Sequence, residues 1–185
     1  MLFKSLGQSV GKFKIPNSEL KALLPLYKID GFIIHCSDSD RPEHDSINVI
    51  DEWHKERGWI CVGYHFFIRK NGEIENGRPI STEGAHCKGQ NDHTLGICLS
   101  GKHEFNKAQF QSLRNLMLYL VNIVLPNEDY KIWPHRFFNH HKTCPNFNLQ
   151  IDTDIFEKPI YPKMTSELYP QMISEKFYQE SNIER

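Results

Sequence analysis

Ten histidines and five cysteines stand in a chain of 185 residues, and these are the side chains that hold transition metals and move protons near neutrality. Three of them form the first candidate constellation. His35 ends the apolar run Gly31-Phe-Ile-Ile-His-Cys, while His135 and Cys144 lie in one late, loop-like stretch. Two imidazoles and a thiolate suit a catalytic zinc, which takes three protein ligands and keeps a fourth position open. Such a centre stays net positive and can polarise a carbonyl. A second set competes with it: His140, His141 and Cys144 have the spacing of one helical turn, although Asn139 and Pro145 argue against a helix there. Spacing alone leaves both open, because any one histidine among ten is more often a surface or hydrogen-bonded residue than a ligand.

Composition bounds what such a site could serve. Lysine plus arginine number 22 and aspartate plus glutamate 23, a net charge of −1, which lacks the basic footprint of a nucleic-acid binder. The hydrophobic share of 39% supports a folded core, and the length fits one domain with extensions. No stretch reaches the ~18 apolar residues of a membrane span. Lys4, Lys12 and Lys14 interrupt the N-terminus, so no signal peptide is read and synthesis in the cytoplasm is expected. An odd number of cysteines in a chain this large reads as thiols rather than a disulfide framework.

The elements that must position the candidates follow from periodicity. Residues 1–28 read as an N-terminal arm, with a short amphipathic segment closed by Pro25. Gly31–Cys36 reads as a buried strand, with Cys36 alternating away from His35 into the core. Asp45 or Ser46 caps a helix to about Arg57, whose stripe is Ile47, Ile50 and Trp53 or His54. Tyr64–Lys70, Asn71-Gly72 and Glu73-Ile74 read as a hairpin with a tight I′ turn. Thr94–Ser100 reads as a strand with Cys98 in the core, Asn106–Leu125 as the longest helix, and Lys131–Trp133 as a short strand before an irregular stretch from Pro134 to Phe147. Beyond Gln150 the chain turns acidic and proline-punctuated, so 150–185 is expected to be a partly helical C-terminal extension. The fold class expected is α/β: a single domain with a central mixed β-sheet flanked by α-helices. Asp38–Glu43 is expected to be a solvated loop, and Trp53 and Trp59 to be packing anchors.

Read together, these segments resemble a known family. Phe32-Ile-Ile-His-Cys-Ser, Trp53-His-Lys-Glu-Arg-Gly-Trp, Val62-Gly-Tyr-His-Phe-Phe-Ile, Gly84-Ala-His-Cys-Lys-Gly, Asn91 with Leu95-Gly-Ile-Cys-Leu, and Pro134-His-Arg followed by Lys142-Thr-Cys-Pro-Asn-Phe are similar to zinc-dependent N-acetylmuramoyl-L-alanine amidases. The likeness is to the type 2 amidase and peptidoglycan-recognition family, and within it to short phage lysozyme-type amidases (endolysins). It runs from Gly31 to Leu149 and leaves the two extensions uncovered, which makes 29–149 the expected amidase domain.

The resemblance implies Zn2+ as cofactor with ligands His35, His135 and Cys144, catalytic assistance from Tyr64 and Lys142, and substrate-groove positions at His86 and Asn91. A structural hydrogen bond is an equal alternative for His86. It further implies peptidoglycan or a muropeptide as substrate, action on the cell wall after release, a monomer, and a phage RNA polymerase as a partner, since close phage relatives bind one. Some relatives carry a glutamate general base where this chain has Leu99-Ser100-Gly101; proton transfer here is then left to solvent, the leaving amine or Tyr64. Two other readings stay open: a non-catalytic peptidoglycan-recognition module, against which the intact ligand set argues, and a cytosolic muropeptide-recycling amidase.

Overall fold

The computed structural model describes residues 29–124 and 130–149. The expected N-terminal arm and C-terminal extension lie outside the described residues. Five strands form one mixed sheet in the order β3-β2-β4-β1-β5. They are β1 Gly31–Cys36, β2 Phe66–Ile68, β3 Ile74–Asn76, β4 Thr94–Leu99 and β5 Lys131–Pro134. Central β1 pairs in parallel with β4 and β5, and β2 pairs in parallel with β4 and antiparallel with β3. Both β1 and β4 are buried along their whole length, which is why they read as unbroken apolar runs rather than alternating ones.

Among the described residues, two α-helices cover the two faces of the sheet. Helix α1, Ile47–Glu56, starts at Ser46, whose hydroxyl accepts from the Asn48 N–H at 3.2 Å. Ile47 and Ile50 pack with Phe67 and Cys98 on one face of the sheet. Helix α2, Lys107–Val124, opens on a reciprocal cap. The Asn106 carboxamide accepts from the Gln109 N–H at 3.1 Å, and the Gln109 carboxamide accepts from the Asn106 N–H at 3.3 Å. Leu113, Leu116, Met117 and Leu120 then meet Phe32, Ile34, Leu95 and Ile97 on the opposite face. Alternation along β1 thus gives Phe32 and Ile34 to α2 and turns His35 toward α1.

The hairpin differs from the expected I′ turn. The Arg69 N–H donates to the Glu73 carbonyl at 2.9 Å and the Gly72 N–H to the Arg69 carbonyl at 2.9 Å, so the loop holds three residues, 70–72. Only Gly72 takes a positive φ, +82°. A type I turn closed by one left-handed glycine is the three-residue solution, and an Asn-Gly pair satisfies it as readily as the two-residue turn.

The Asp38–Glu43 loop is not merely solvated. Asp40 accepts from the backbone N–H groups of Lys102, His103 and Glu104 at 2.8–3.2 Å and from Lys70 Nζ at 3.2 Å, tying the loop after β1 to the loop after β4. Desolvation opposes its charge, but these donors outweigh it and hold the carboxyl well below the usual carboxylate range. Asp40→Ala, which removes all four acceptor contacts at a partly solvated site, is expected to cost ~1 kcal/mol. That corresponds to a Tm lower by about 2–4 °C for a chain of this size, read by thermal denaturation. An unchanged Tm would show that the loop holds itself.

Candidate metal centre and active-site cavity

Strand register builds the site. Because β5 runs beside β1 with Ile34 opposite Pro134, the next residue of each chain segment is a histidine, His35 and His135, and their ring centroids lie 4.5 Å apart. His135 opens a short 3-10 turn, His135–Phe137, that diverts the chain from the sheet. The chain then loops back to Cys144. Arg136 fixes that return: its N–H donates to the Cys144 carbonyl at 2.7 Å, and its guanidinium donates to the carbonyls of Thr143, Pro145 and Phe147. Cys144 Sγ comes to rest 3.3 Å from the Cys36 N–H and 3.9 Å from His35 Nδ1.

One ligand atom each from His35, His135 and Cys144 lies within 4.8 Å of the others. Tetrahedral zinc with its usual bond lengths needs an N···S separation of roughly 3.5 Å, so the group fits an ion with small adjustment. The rival set is not brought together. His140 and His141 are exposed, no helix forms between 138 and 147, and neither joins the cluster.

Electrostatics agree with the donor chemistry. Burial, then the neighbouring rings of His86, His135 and His54, hold His35 well below the ordinary histidine value. His135 is lowered by burial and next by the Lys142 ammonium. Both rings are therefore neutral at pH 7, the form that ligates. The Cys144 thiol is raised by its hydrogen bond with Cys36 and by burial, so a cation at this point is what would draw out the thiolate. Cys36 is buried as expected, and as the last residue of β1 it also meets Cys144 beside the cavity.

Beside this cluster, with His135 and Cys144 in its wall and His35 buried behind them, opens a cavity of about 210 Å³. Cys36, Ser37 and Asp38 line one side, Lys142–Cys144 and Asn146 another, and Ile50, Trp53, His54 and Arg57 of the α1 segment a third. Tyr64 enters from just before β2, with its ring centroid 4.9 Å from that of His35. Burial, then the nearby Cys98, Cys144 and Cys36 thiols, raises the Tyr64 phenol well above its ordinary value, so it stays a hydrogen-bond donor. Lys142 is exposed at the mouth. The only carboxylate among the lining residues is Asp38, which is paired with Lys102 at 3.1 Å. Trp53 packs against the core as expected and also walls the cavity, while Trp59 lies tilted against the His54 ring and is 40% exposed.

The α1 wall escaped the sequence reading, although a signal was present: positions 50, 53, 54 and 57 share one helical face. His86 and Asn91 are placed elsewhere than in the cavity. His86 is buried behind His35, and Asn91 Oδ1 accepts from the His86 and Cys87 N–H groups at 2.9 and 2.8 Å, clamping the 84–91 loop.

Three buried histidines off the ligand set, His54, His65 and His86, are lowered by burial to about 4, about 4 and about 3. Their folded values lie below the unfolded value of about 6.5, so their contribution is full above pH 6.5 and is lost as pH falls through 4 toward 3. The Tm of metal-free protein is expected to drop steadily from pH 6.5 to 4. A flat profile over that window would contradict the burial of neutral rings.

Known proteins agree with the architecture. The family described as N-acetylmuramoyl-L-alanine amidase matches residues 25–147. The endolysin of Escherichia phage T7 is 37% identical over 129 residues, covering 65% of this chain and 83% of that protein. The endolysin of Enterobacteria phage T3 is 36% identical, covering 68% and 86%. Among solved structures, the N-acetylmuramoyl-L-alanine amidase LysC from Clostridium intestinale URNW superposes with a TM-score of 0.59 at 31% identity over 67% of this chain and 82% of that one. Drosophila PGRP-LB does so with a TM-score of 0.57 at 26% identity over 75% and 86%. With two-thirds of its length matched in one block, and with a mixed sheet that carries a His-His-Cys cluster where the neighbouring strands β1 and β5 end, this chain belongs to the N-acetylmuramoyl-L-alanine amidase family.

Proposed function

We propose that the chain is a zinc-dependent, phage-type endolysin that hydrolyses the amide between N-acetylmuramic acid and L-alanine in peptidoglycan, with His35, His135 and Cys144 as ligands and Tyr64 and Lys142 as catalytic residues. The observation that carries this is the convergence of the three ligand atoms within 4.8 Å beside a cavity that His135 and Cys144 line. Zinc held there supplies Lewis-acid polarisation of the scissile carbonyl and acidifies water. The protein's own groups do the rest. Tyr64, kept protonated, donates to the oxygen on which negative charge develops, and the Lys142 ammonium, close enough to be felt at His135, favours the same charge. The α1 wall excludes water from one side and holds the sugar-peptide junction. Because the one lining carboxylate, Asp38, is paired with Lys102 and Tyr64 is held protonated, proton acceptance falls to solvent or the leaving amine.

No helix among the described residues is long and apolar enough to cross a membrane, and the endolysin reading has the chain act on the wall after release. The test is zinc content together with release of new L-alanine amino termini from purified peptidoglycan. About one zinc per chain with new termini supports the enzyme; zinc without cleavage points to a recognition module; no zinc removes the ligand assignment. A monomeric state and polymerase binding are read by sedimentation and by co-purification with a phage RNA polymerase, and the hydrolase reading stands whichever way they fall.

A further inference from the structure

The rear of His35 is as specifically built as its front. His35 Nε2 lies 3.2 Å from His86 Nδ1, and His86 Nε2 lies 3.3 Å from the Thr94 carbonyl oxygen. A carbonyl can only accept, so the proton of the His86 ring sits on Nε2. In the neutral ring, His86 Nδ1 is then the acceptor, and His35 Nε2 must carry the donated proton. That leaves the lone pair of His35 on Nδ1, the atom facing Cys144 Sγ.

The slot for the His86 ring is formed by two glycines. A Cβ on Gly84 or Gly96 would lie 2.5 Å from ring atoms of His86, so both chain segments approach the imidazole more closely than any other residue would allow. Asn91 Oδ1 holds the His86 backbone N–H at 2.9 Å, and the His65 ring, itself anchored on Gly96 N–H and the Thr82 carbonyl, packs edge-on against it.

We infer that His86 is a positioning residue that fixes the tautomer and orientation of the ligand His35 through a Thr94 carbonyl–His86–His35 relay. The inference rests on the metal reading above. Its function is to present one neutral nitrogen to the ion without rearrangement, and to raise that ring's basicity as outer-shell acceptors do.

Two near-isosteric variants separate acceptor from bulk. His86→Asn keeps an acceptor at the δ position, whereas His86→Gln keeps only the ε-position donor toward the Thr94 carbonyl. The probe is Co2+ titrated into the full chain and read by its d–d absorption, with Zn2+ competition for affinity and circular dichroism to confirm folding. His86→Gln is expected to weaken metal binding by about 10–100-fold and His86→Asn by no more than about threefold. Equal affinities for the two folded variants, or weaker binding by His86→Asn, overturn the inference, because a space-filling role favours the larger glutamine. The second readout is independent of any variant: two-bond 1H–15N couplings of the wild-type chain before metal is added are expected to show His35 in the Nε2–H form. An Nδ1–H form overturns the inference. A wild type that takes up no Co2+ would overturn the metal reading instead, and the tautomer of His35 would still decide the role of His86.

Discussion

Cys144→Ala is expected to abolish release of L-alanine amino termini and to bring zinc from about one per chain to near zero, while leaving the metal-free fold intact. The two effects separate because the thiol contributes only its contacts with Cys36 and His35, whereas the main anchors of the 138–147 loop come from Arg136 and the strand register. Arg136 holds the carbonyls of Thr143, Cys144, Pro145 and Phe147, and the β1–β5 register brings His35 beside His135 whatever stands at position 144. Two histidines alone leave half of a tetrahedral set unfilled and remove the one anionic ligand. The loss should therefore exceed the ~10–100-fold typical of an outer-shell residue. Cys36 is the natural escape route, since its thiol is hydrogen-bonded to Cys144. A Cys36→Ala/Cys144→Ala chain tests whether any residual metal uses it, and Cys36→Ala alone should retain zinc. Full zinc content and wild-type cleavage in Cys144→Ala would sink the ligand assignment.

The mixed sheet and the extents of both helices were legible because each rests on a local signal: a short apolar run, a Ser46 cap, a periodic apolar stripe, an Asn-Gly turn. The His35–His135 neighbourhood was not legible from spacing, since it depends on β5 adding beside β1 one hundred residues later, and only the family likeness chose it over His140 and His141. Helix α1 shows a different limit. Its face Ile50, Trp53, His54, Arg57 is one continuous stripe by periodicity, but the sheet beneath it ends, so the first turns of the stripe meet Phe67 and Cys98 while the last meet the cavity. Asp40 was misread for the reason that made it useful: its partners are backbone N–H groups sixty residues away, which carry no sequence signature. The position of His86 behind a ligand depends on two glycines in different segments, and no single segment announces it.

Tyr64→Phe is expected to lower kcat by ~10²–10³, about 2.7–4 kcal/mol of transition-state stabilisation, with KM and zinc content close to wild type. The ring lies over His35 and beside His54, so phenylalanine fills the same space and the wall of the cavity survives. What is lost is one hydroxyl. Its proton is held firmly, because desolvation and the surrounding thiols raise the phenol well above its ordinary value, and a phenol that stays protonated serves a developing anion as donor and not as base. Donation matters little to a neutral ground-state carbonyl and much more to an oxygen gaining charge, so the cost should fall on kcat and not on substrate binding. The pH behaviour follows: a phenol acting as donor leaves the rate profile near neutrality untouched, whereas a phenol acting as general base would impose a limb that Tyr64→Phe removes. A variant that loses zinc, or whose loss is wholly in KM, would assign Tyr64 to packing of the cavity wall and leave oxyanion stabilisation to the metal and Lys142.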